Sequence, residues 1–471
     1  MESDLLPWHS ALCSSLFSSD LSWLTRLSAW KAIETLPEEA VTQLLQHSTL
    51  PVCSQLAAAP YIWEARVARA CTRIVDDQLE CTISQECAPV WKPLTSLSDL
   101  QSVVLDGMFC HRELALQSPI GKLLTSLPCL HKLTLPPTEI IKDLACALAP
   151  LFSSLPLLRN LSLQGTEVKD DAIPALGDAL AALPNLTRLG ISESSLVRRR
   201  TATYEFAPHL ARLTSLRSLI ADGDVNTSVM AAEEAMSLAI AIEGLPLLEE
   251  LSLDHHVIGD DGGPSLAHAL RGKTHLTALC LTDNEIGDEA VDFQQCFNTT
   301  PRVEKLRLGG NRFHPRHCVY ELTGLRELAL GLADVSAQAF GSFLDNLSKL
   351  RGLTSLELGL QCLPSDLADL LGPAIGCCTQ LRHLEVIPVL HPYGEEVRLC
   401  AHLTPLSSLT RLGVANEEVI PLAQFLATSH GARKPPLGQF HVRRGRAHGR
   451  VRVSGRAARI HVPYRSELSH E

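Results

Sequence analysis

The pattern L-x-x-L-x-x-L-x-L recurs twelve times along the chain, and no other feature restricts the fold as tightly. Marked by its second apolar position, it stands at Leu100, Leu130, Leu158, Leu186, Leu216, Leu248, Leu276, Val303, Leu325, Leu353, Leu381 and Leu409. The copies are 22 to 32 residues apart, and six of the eleven intervals are 28. A near-fixed period of this size predicts a solenoid, in which each unit buries its apolar side only against its neighbours. At about 150 residues per domain, a chain of 471 residues would suggest three domains. A continuous stacked core overrides that division.

Within a copy, Leu158-Arg-Asn-Leu161-Ser-Leu163 alternates apolar and polar residues, which predicts a short strand. Leu176, Ala179, Leu180 and Leu183 then follow helical spacing, as do Phe340, Phe343, Leu344 and Leu347. Met236, Ala239, Ile240 and Glu243 give the same stripe with one polar member. Pro128, Pro156, Pro184 and Pro246 each follow the first leucine of a copy and stop the helix before it. Aromatics are only 4%, so the core is expected to be aliphatic. Strands stack about 4.8 Å apart while helices need about 10 Å. The expected shape is therefore an α/β right-handed horseshoe of about twelve repeats, its parallel sheet on the concave side and its helices outside. The 22-residue interval before Leu325 is expected to lose most of its helix.

These repeats, and Leu276-Thr-Ala-Leu279-Cys-Leu281-Thr-Asp-Asn284-Glu-Ile286-Gly287 above all, resemble the leucine-rich repeats of ribonuclease inhibitor. The likeness covers about residues 95–430 and implies a leucine-rich-repeat solenoid. The asparagine that follows the strand in that family stands at Asn284 and Asn311, with Thr166, His256 and Ala333 in its place elsewhere.

Residues 1–94 lack the period and are expected to form a small helical module. Leu36-Pro37-Glu38-Glu39 is followed by Leu44-Leu45, Leu56 and Trp63, the last 27 residues after Leu36. This arrangement, around residues 36–70, resembles an F-box. The resemblance implies that Leu36, Pro37, Leu44, Leu45, Leu56 and Trp63 form or support a docking surface for a Skp-family adaptor and its cullin complex. The chain would then be the substrate-recognition subunit of a cullin–RING ubiquitin ligase. Ser48, Pro51 and Ala59 depart from the F-box pattern. A plain helical cap on the first repeat is the competing reading, since a solenoid needs its open end covered and Leu-Pro-Glu-Glu is an ordinary helix start. Under that reading the chain is a non-catalytic scaffold or regulator of the ribonuclease-inhibitor or Ran GTPase-activating type.

The 15 cysteines are odd in number, irregularly spaced and contain no C-x-x-C pair. They read as reduced core thiols, Cys146 and Cys280 among them, of a cytoplasmic protein. Met1-Glu2-Ser3-Asp4 lacks the basic start of a signal peptide, and uncharged runs are too short to span a bilayer. Arg198-Arg199-Arg200 would suit nuclear import, but a solvated loop is the simpler reading. Residues 431–466, within a basic tail or cap spanning 431–471, hold ten Lys or Arg and no acid. The first 430 residues hold 31 basic against 50 acidic side chains, a net of −19. Nucleic acid is thus an unexpected partner for the main surface. In the tail, Phe440-His-Val442-Arg and Val451-Arg-Val453 alternate as strands do.

No motif points to catalysis, and no cofactor or metal is expected. Gly272-Lys273-Thr274 has Ala267 where a phosphate loop needs glycine. Asp254-His255-His256 with Asp260-Asp261 sits in a turn where consecutive side chains diverge. The residues between the strand leucines are the expected contact residues for a protein substrate: Glu250, Ser252, Asp254, Lys305, Arg307, Glu327 and Glu357. Lys305 and Arg307 interrupt an otherwise acidic and neutral series, a pattern that confers specificity through charge.

Overall fold

A computed structural model of the chain describes residues 72–75, 78–84, 100–106, 114–224, 230–287, 292–312, 322–332, 337–361, 365–389, 405–406, 408–414, 440–444 and 447–451. The chain divides into two compact units, Met1–Leu196 and Val197–Glu471.

In the first unit, β1 (Thr72–Val75) pairs antiparallel with β2 (Gln78–Ser84). From β2 the ladder is parallel through β3 (Ser102–Asp106) and β4 (Lys132–Thr134). β5 (Glu139–Ile140) and β7 (Glu167–Val168) form a small second sheet. The main ladder continues through β6 (Asn160–Ser162) to β8 (Arg188–Gly190). Leu133, Leu161 and Leu189 stand in register, all with no exposure. Helices α1 (Pro119–Ser126), α2 (Lys142–Ser153) and α3 (Ile173–Ala181) alternate with these strands. Each ends just before Pro128, Pro156 or Pro184, as the sequence predicts.

The second unit repeats the plan. Parallel strands β9 (Ser218–Ile220), β10 (Glu250–Ser252), β11 (Ala278–Cys280) and β12 (Lys305–Leu308) lead to β13 (Glu327–Leu332). β14 (Ser355–Gln361), β15 (His383–Val389), β16 (Arg411–Val414) and β17 (Phe440–Arg444) follow in the same sense. β18 (Ala447–Val451) returns antiparallel on β17. One register column runs Leu219, Leu251, Leu279, Leu306, Leu328, Leu356, Leu384. Each of these leucines is at most 2% exposed. Burial of one such side chain is worth about 2 kcal/mol as an upper figure. Stacked strands of this kind hold the array. Eleven of the twelve repeat markers are buried, and Leu409 is half-buried.

The helices of this unit are α5 (Arg200–Leu210), α6 (Ala232–Glu243), α7 (Gly259–Leu270), α8 (Asp292–Thr299), α9 (Ala337–Leu347) and α10 (Ser365–Gly376). The short α4 (Ser195–Arg198) precedes them. Arg198 ends α4 and Arg200 begins α5, so this basic run lies at a helix junction rather than on an open loop. Arg200 also pairs with Glu233 of α6.

Three further expectations need correcting. Within the segment 1–94, expected to be a helical module, residues 72–75 and 78–84 form the strand pair β1–β2. The buried stripe of α6 is Ala235, Leu238, Ala239 and Ile242, whereas Met236 and Ile240 are exposed. Two templates one residue apart fit this alanine-rich helix, and packing chooses between them. A Cβ added at Gly262 of α7 would lie only 3.0 Å from Ala235 Cβ, so the close approach of α7 selects the Ala235 side. Cys146 is exposed rather than a core thiol. Residues 313–321, where the shortened repeat was expected, and residues 1–71 lie outside the described residues.

Candidate binding face on the strands of the second unit

In β10, Leu251 is fully buried while Glu250 beside it is half-buried. Stacking in register turns such intervening residues into rows across the sheet. One row runs Glu250, Ala278, Lys305, Glu327, Ser355, His383. The next runs Ser252, Cys280, Arg307, Ala329, Glu357, Glu385. Adjacent members are about 4.8 Å apart, so their charges interact. Arg307 reaches Glu327 at 3.6 Å, the two side chains 41% and 40% exposed. Ser218 donates its hydroxyl to Glu250 at 2.6 Å, and His383 Nε2 lies 3.7 Å from Glu385. Exposed ion pairs contribute only about 0–1 kcal/mol each. They order the face and add little to the fold.

The ends of the strands carry two carboxylates. Asp222 Oδ1 accepts from the Ser252 hydroxyl at 2.6 Å and from the Asp254 N–H at 3.0 Å. Asp254 Oδ1 accepts from the Thr282 N–H at 2.5 Å. These bonds satisfy backbone donors that the strand ladder leaves unpaired. Burial raises the Asp254 carboxyl above its ordinary value of 3.8, and the nearby Asp222 charge adds to this. The Thr282 bond acts in the opposite direction. Burial also pushes the Cys280 thiol up to about 11, with the Asp254 charge adding to the rise. Such a thiol stays protonated at neutral pH and is a poor nucleophile.

The structure places Glu250, Ser252, Lys305, Arg307, Glu327 and Glu357 on this one sheet, with Asp254 two residues beyond the end of β10. Ser252 is buried against Asp222 and Asp254 is held by Thr282, so these two support the face more than they present themselves. Sequence reasoning missed Asp222, although it follows Ile220 by the spacing at which Asp254 follows Ser252. The proposed docking residues Leu36, Pro37, Leu44, Leu45, Leu56 and Trp63 lie outside the described residues.

The turn sequence Asp254-His255-His256 does not converge. His255 has φ 63° and lies 3.1 Å from Asp283, whereas His256 is 1% exposed and bonds the Ala221 carbonyl. Among the described residues no group of three or more His, Cys, Asp or Glu is arranged to hold a metal ion. Lys273, the middle residue of Gly272-Lys273-Thr274, donates to the carbonyls of Glu243 and Leu245 at 3.0 Å each. It therefore caps the carboxy-terminal end of α6, where a cation suits the helix dipole. Among the described residues, no helix is long and apolar enough to cross a membrane.

The Leucine Rich repeat family model matches residues 244–267 and 272–292, the segments that contain β10, α7 and β11. The chain carries leucine-rich repeats. Together with the stacked parallel strands, this makes the fold an α/β leucine-rich-repeat solenoid. No curated protein matches the chain in sequence. Among solved structures, an internalin (inlF) from Listeria monocytogenes is similar at 17% identity and a TM-score of 0.42, over 80% of this chain and 94% of the other. The TLR13–ssRNA13 complex is similar at 17% identity and a TM-score of 0.40, over 74% of this chain and 48% of the other.

Proposed function

We propose that the protein is a non-catalytic protein-binding scaffold that holds its partner on the strand face of the second unit. The observation that carries this reading is the set of register rows in which Glu250, Lys305, Arg307, Glu327 and Glu357 stand half-buried between the core leucines. Rows that change sign along the sheet fix the register of a partner by charge complementarity and disfavour others by repulsion. Reversing Lys305 and Arg307 together to Glu should weaken capture of a partner identified by affinity purification. Unchanged capture would move the site to the loops or the tail.

The finer form of the proposal is a substrate-recognition adaptor of a cullin–RING ubiquitin ligase. It rests on the F-box-like spacing of Leu36, Pro37, Leu44, Leu45, Leu56 and Trp63. In that role the chain performs no bond chemistry, and brings the substrate's lysines close to a ubiquitin-charged enzyme. Co-purification with a Skp-family protein should be lost in the Leu36→Ala, Pro37→Ala double variant. Persistence of that complex would leave the amino-terminal segment as a cap and the protein as a scaffold of the ribonuclease-inhibitor or Ran GTPase-activating type.

A further inference from the structure

Most charges on strands β10 to β14 are engaged within the protein. Glu250 accepts from Ser218, and Arg307 pairs with Glu327. At the strand entries Arg217 pairs with Glu249, and Arg326 with Glu304 at 3.0 Å. Lys305 and Glu357 differ, since among the described residues neither has a hydrogen bond or an ion pair. Register explains both cases. Lys305 stands between Ala278 and Glu327, and Glu327 is already held by Arg307. Glu357 stands between Ala329 and Glu385, so its strand neighbours are an apolar residue and a like charge. Both side chains are half-buried. Each has lost part of its hydration with no opposite charge in its place.

We infer that Lys305 and Glu357 are the two poles that read a polypeptide partner, Lys305 taking an acidic side chain and Glu357 a basic one. This rests on the strand face being the binding surface. The Arg307–Glu327 pair lies between the poles and neutralises itself. Lys305 and Glu357 are two strand steps and two residues apart, about 12 Å between backbones. In an extended segment, residues four apart share a face at about 13 Å. An acid and a base at that separation therefore meet both poles at once. A nucleic acid laid along the same path would bring a backbone negative at every step onto Glu357 and Glu385. A polypeptide can change sign along its length.

The test pans a phage-displayed library of random short peptides against the full chain and its variants. Peptides enriched on the parent should carry an acidic and a basic residue about four positions apart. Lys305→Glu should remove the acid from the enriched set, and Glu357→Lys should remove the base. Either reversal should weaken a fluorescein-labelled peptide of the parental set about tenfold, since an attraction becomes a repulsion. Binding of the newly enriched two-base or two-acid peptides shows that each variant is folded. Arg307→Gln together with Glu327→Gln deletes the internal pair and should leave both requirements in place. Enrichment without an acid–base pair, or sets unchanged by both pole reversals, would overturn the inference. So would a random single-stranded oligonucleotide that displaces the parental peptide. If selection responds to joint reversal of Lys305 and Arg307 but not to Glu357→Lys, the face remains the binding surface and the two-pole reading fails. If selection is indifferent to every one of these changes, the strand face itself is lost as the binding surface.

Discussion

The turns after β6 and β8 in the first unit and after β10, β11 and β12 in the second are closed differently, although the backbone problem is the same. In the first unit hydroxyls serve. Thr166 Oγ1 donates to the Leu163 carbonyl at 2.7 Å, and Ser194 Oγ donates to the Thr166 carbonyl at 3.0 Å. In the second unit longer side chains reach past the turn to the strand-end carbonyl of the preceding repeat. Asn311 Nδ2 donates to the Leu281 carbonyl at 2.5 Å, Asn284 Nδ2 to Leu253 at 2.7 Å, and His256 Nε2 to Ala221 at 2.8 Å. The residue just before each of these positions is left-handed where Gly165, Glu193, His255, Asp283 and Gly310 stand, with φ between 54° and 69°. What the turn requires is a donor aimed at a strand-end or turn carbonyl, which several residue types provide. A motif that looks degenerate as sequence is therefore nearly uniform as structure.

The amide version does more than the hydroxyl version, and its removal should have the largest effect. Asn311 also accepts at Oδ1 from the N–H groups of Asn284 and Ile286, at 3.2 and 3.1 Å. Asn311→Ala would strand two buried backbone donors and two buried carbonyls at once. The expected loss is about 3 kcal/mol of unfolding free energy, read from the urea midpoint. A loss below about 1 kcal/mol would mean that the repeat does not depend on the amide.

Thr166→Val tests the other side of the comparison. Valine keeps the shape and removes only Oγ1, with its bond to Leu163 and its 3.1 Å contact with Ser194. Ser194 can still donate to the backbone carbonyl of residue 166. The expected loss is about 1 kcal/mol in the same urea measurement. Losses of equal size at Asn311 and Thr166 would break the comparison, since the amide and hydroxyl turns would then be equivalent.

The contrast also explains what the sequence disclosed. The strands were legible because the alternation of Leu161 and Leu163, repeated at each copy, has one structural solution once neighbours stack. The α6 stripe was not, because Ala235 and Ala239 score equally as core or surface until Gly262 of α7 is brought against one side. Cys280 is buried although it stands in register between Ser252 and Arg307, because its side chain is smaller than the charged residues of the same row. Lys273 looked like part of a phosphate motif because a cap on α6 from the next repeat leaves no local signature.

His256 is the turn where the comparison can be sharpened with the smallest change at neutral pH. Its Nε2 donates to Ala221, which leaves Nδ1 as the lone-pair nitrogen, buried and without a partner. That nitrogen abuts Gly223, where an added Cβ would lie 2.9 Å away. Burial lowers the imidazole below its ordinary value of 6.5; the Ala221 bond and the Asp222 charge act against this, while His255 adds to it. The folded protein thus binds this proton more weakly than the unfolded chain. The contribution of His256 to stability is complete above about pH 6.5 and falls as the pH drops through and below that value. His256→Asn retains a donor for the Ala221 carbonyl and removes the titration. Its midpoint should match the parent within about 0.5 kcal/mol at neutral pH, and should fall less steeply as the solution is acidified. Parallel loss of stability in parent and variant from pH 7 to 5 would show that the imidazole is no more acid-sensitive than an amide at this turn.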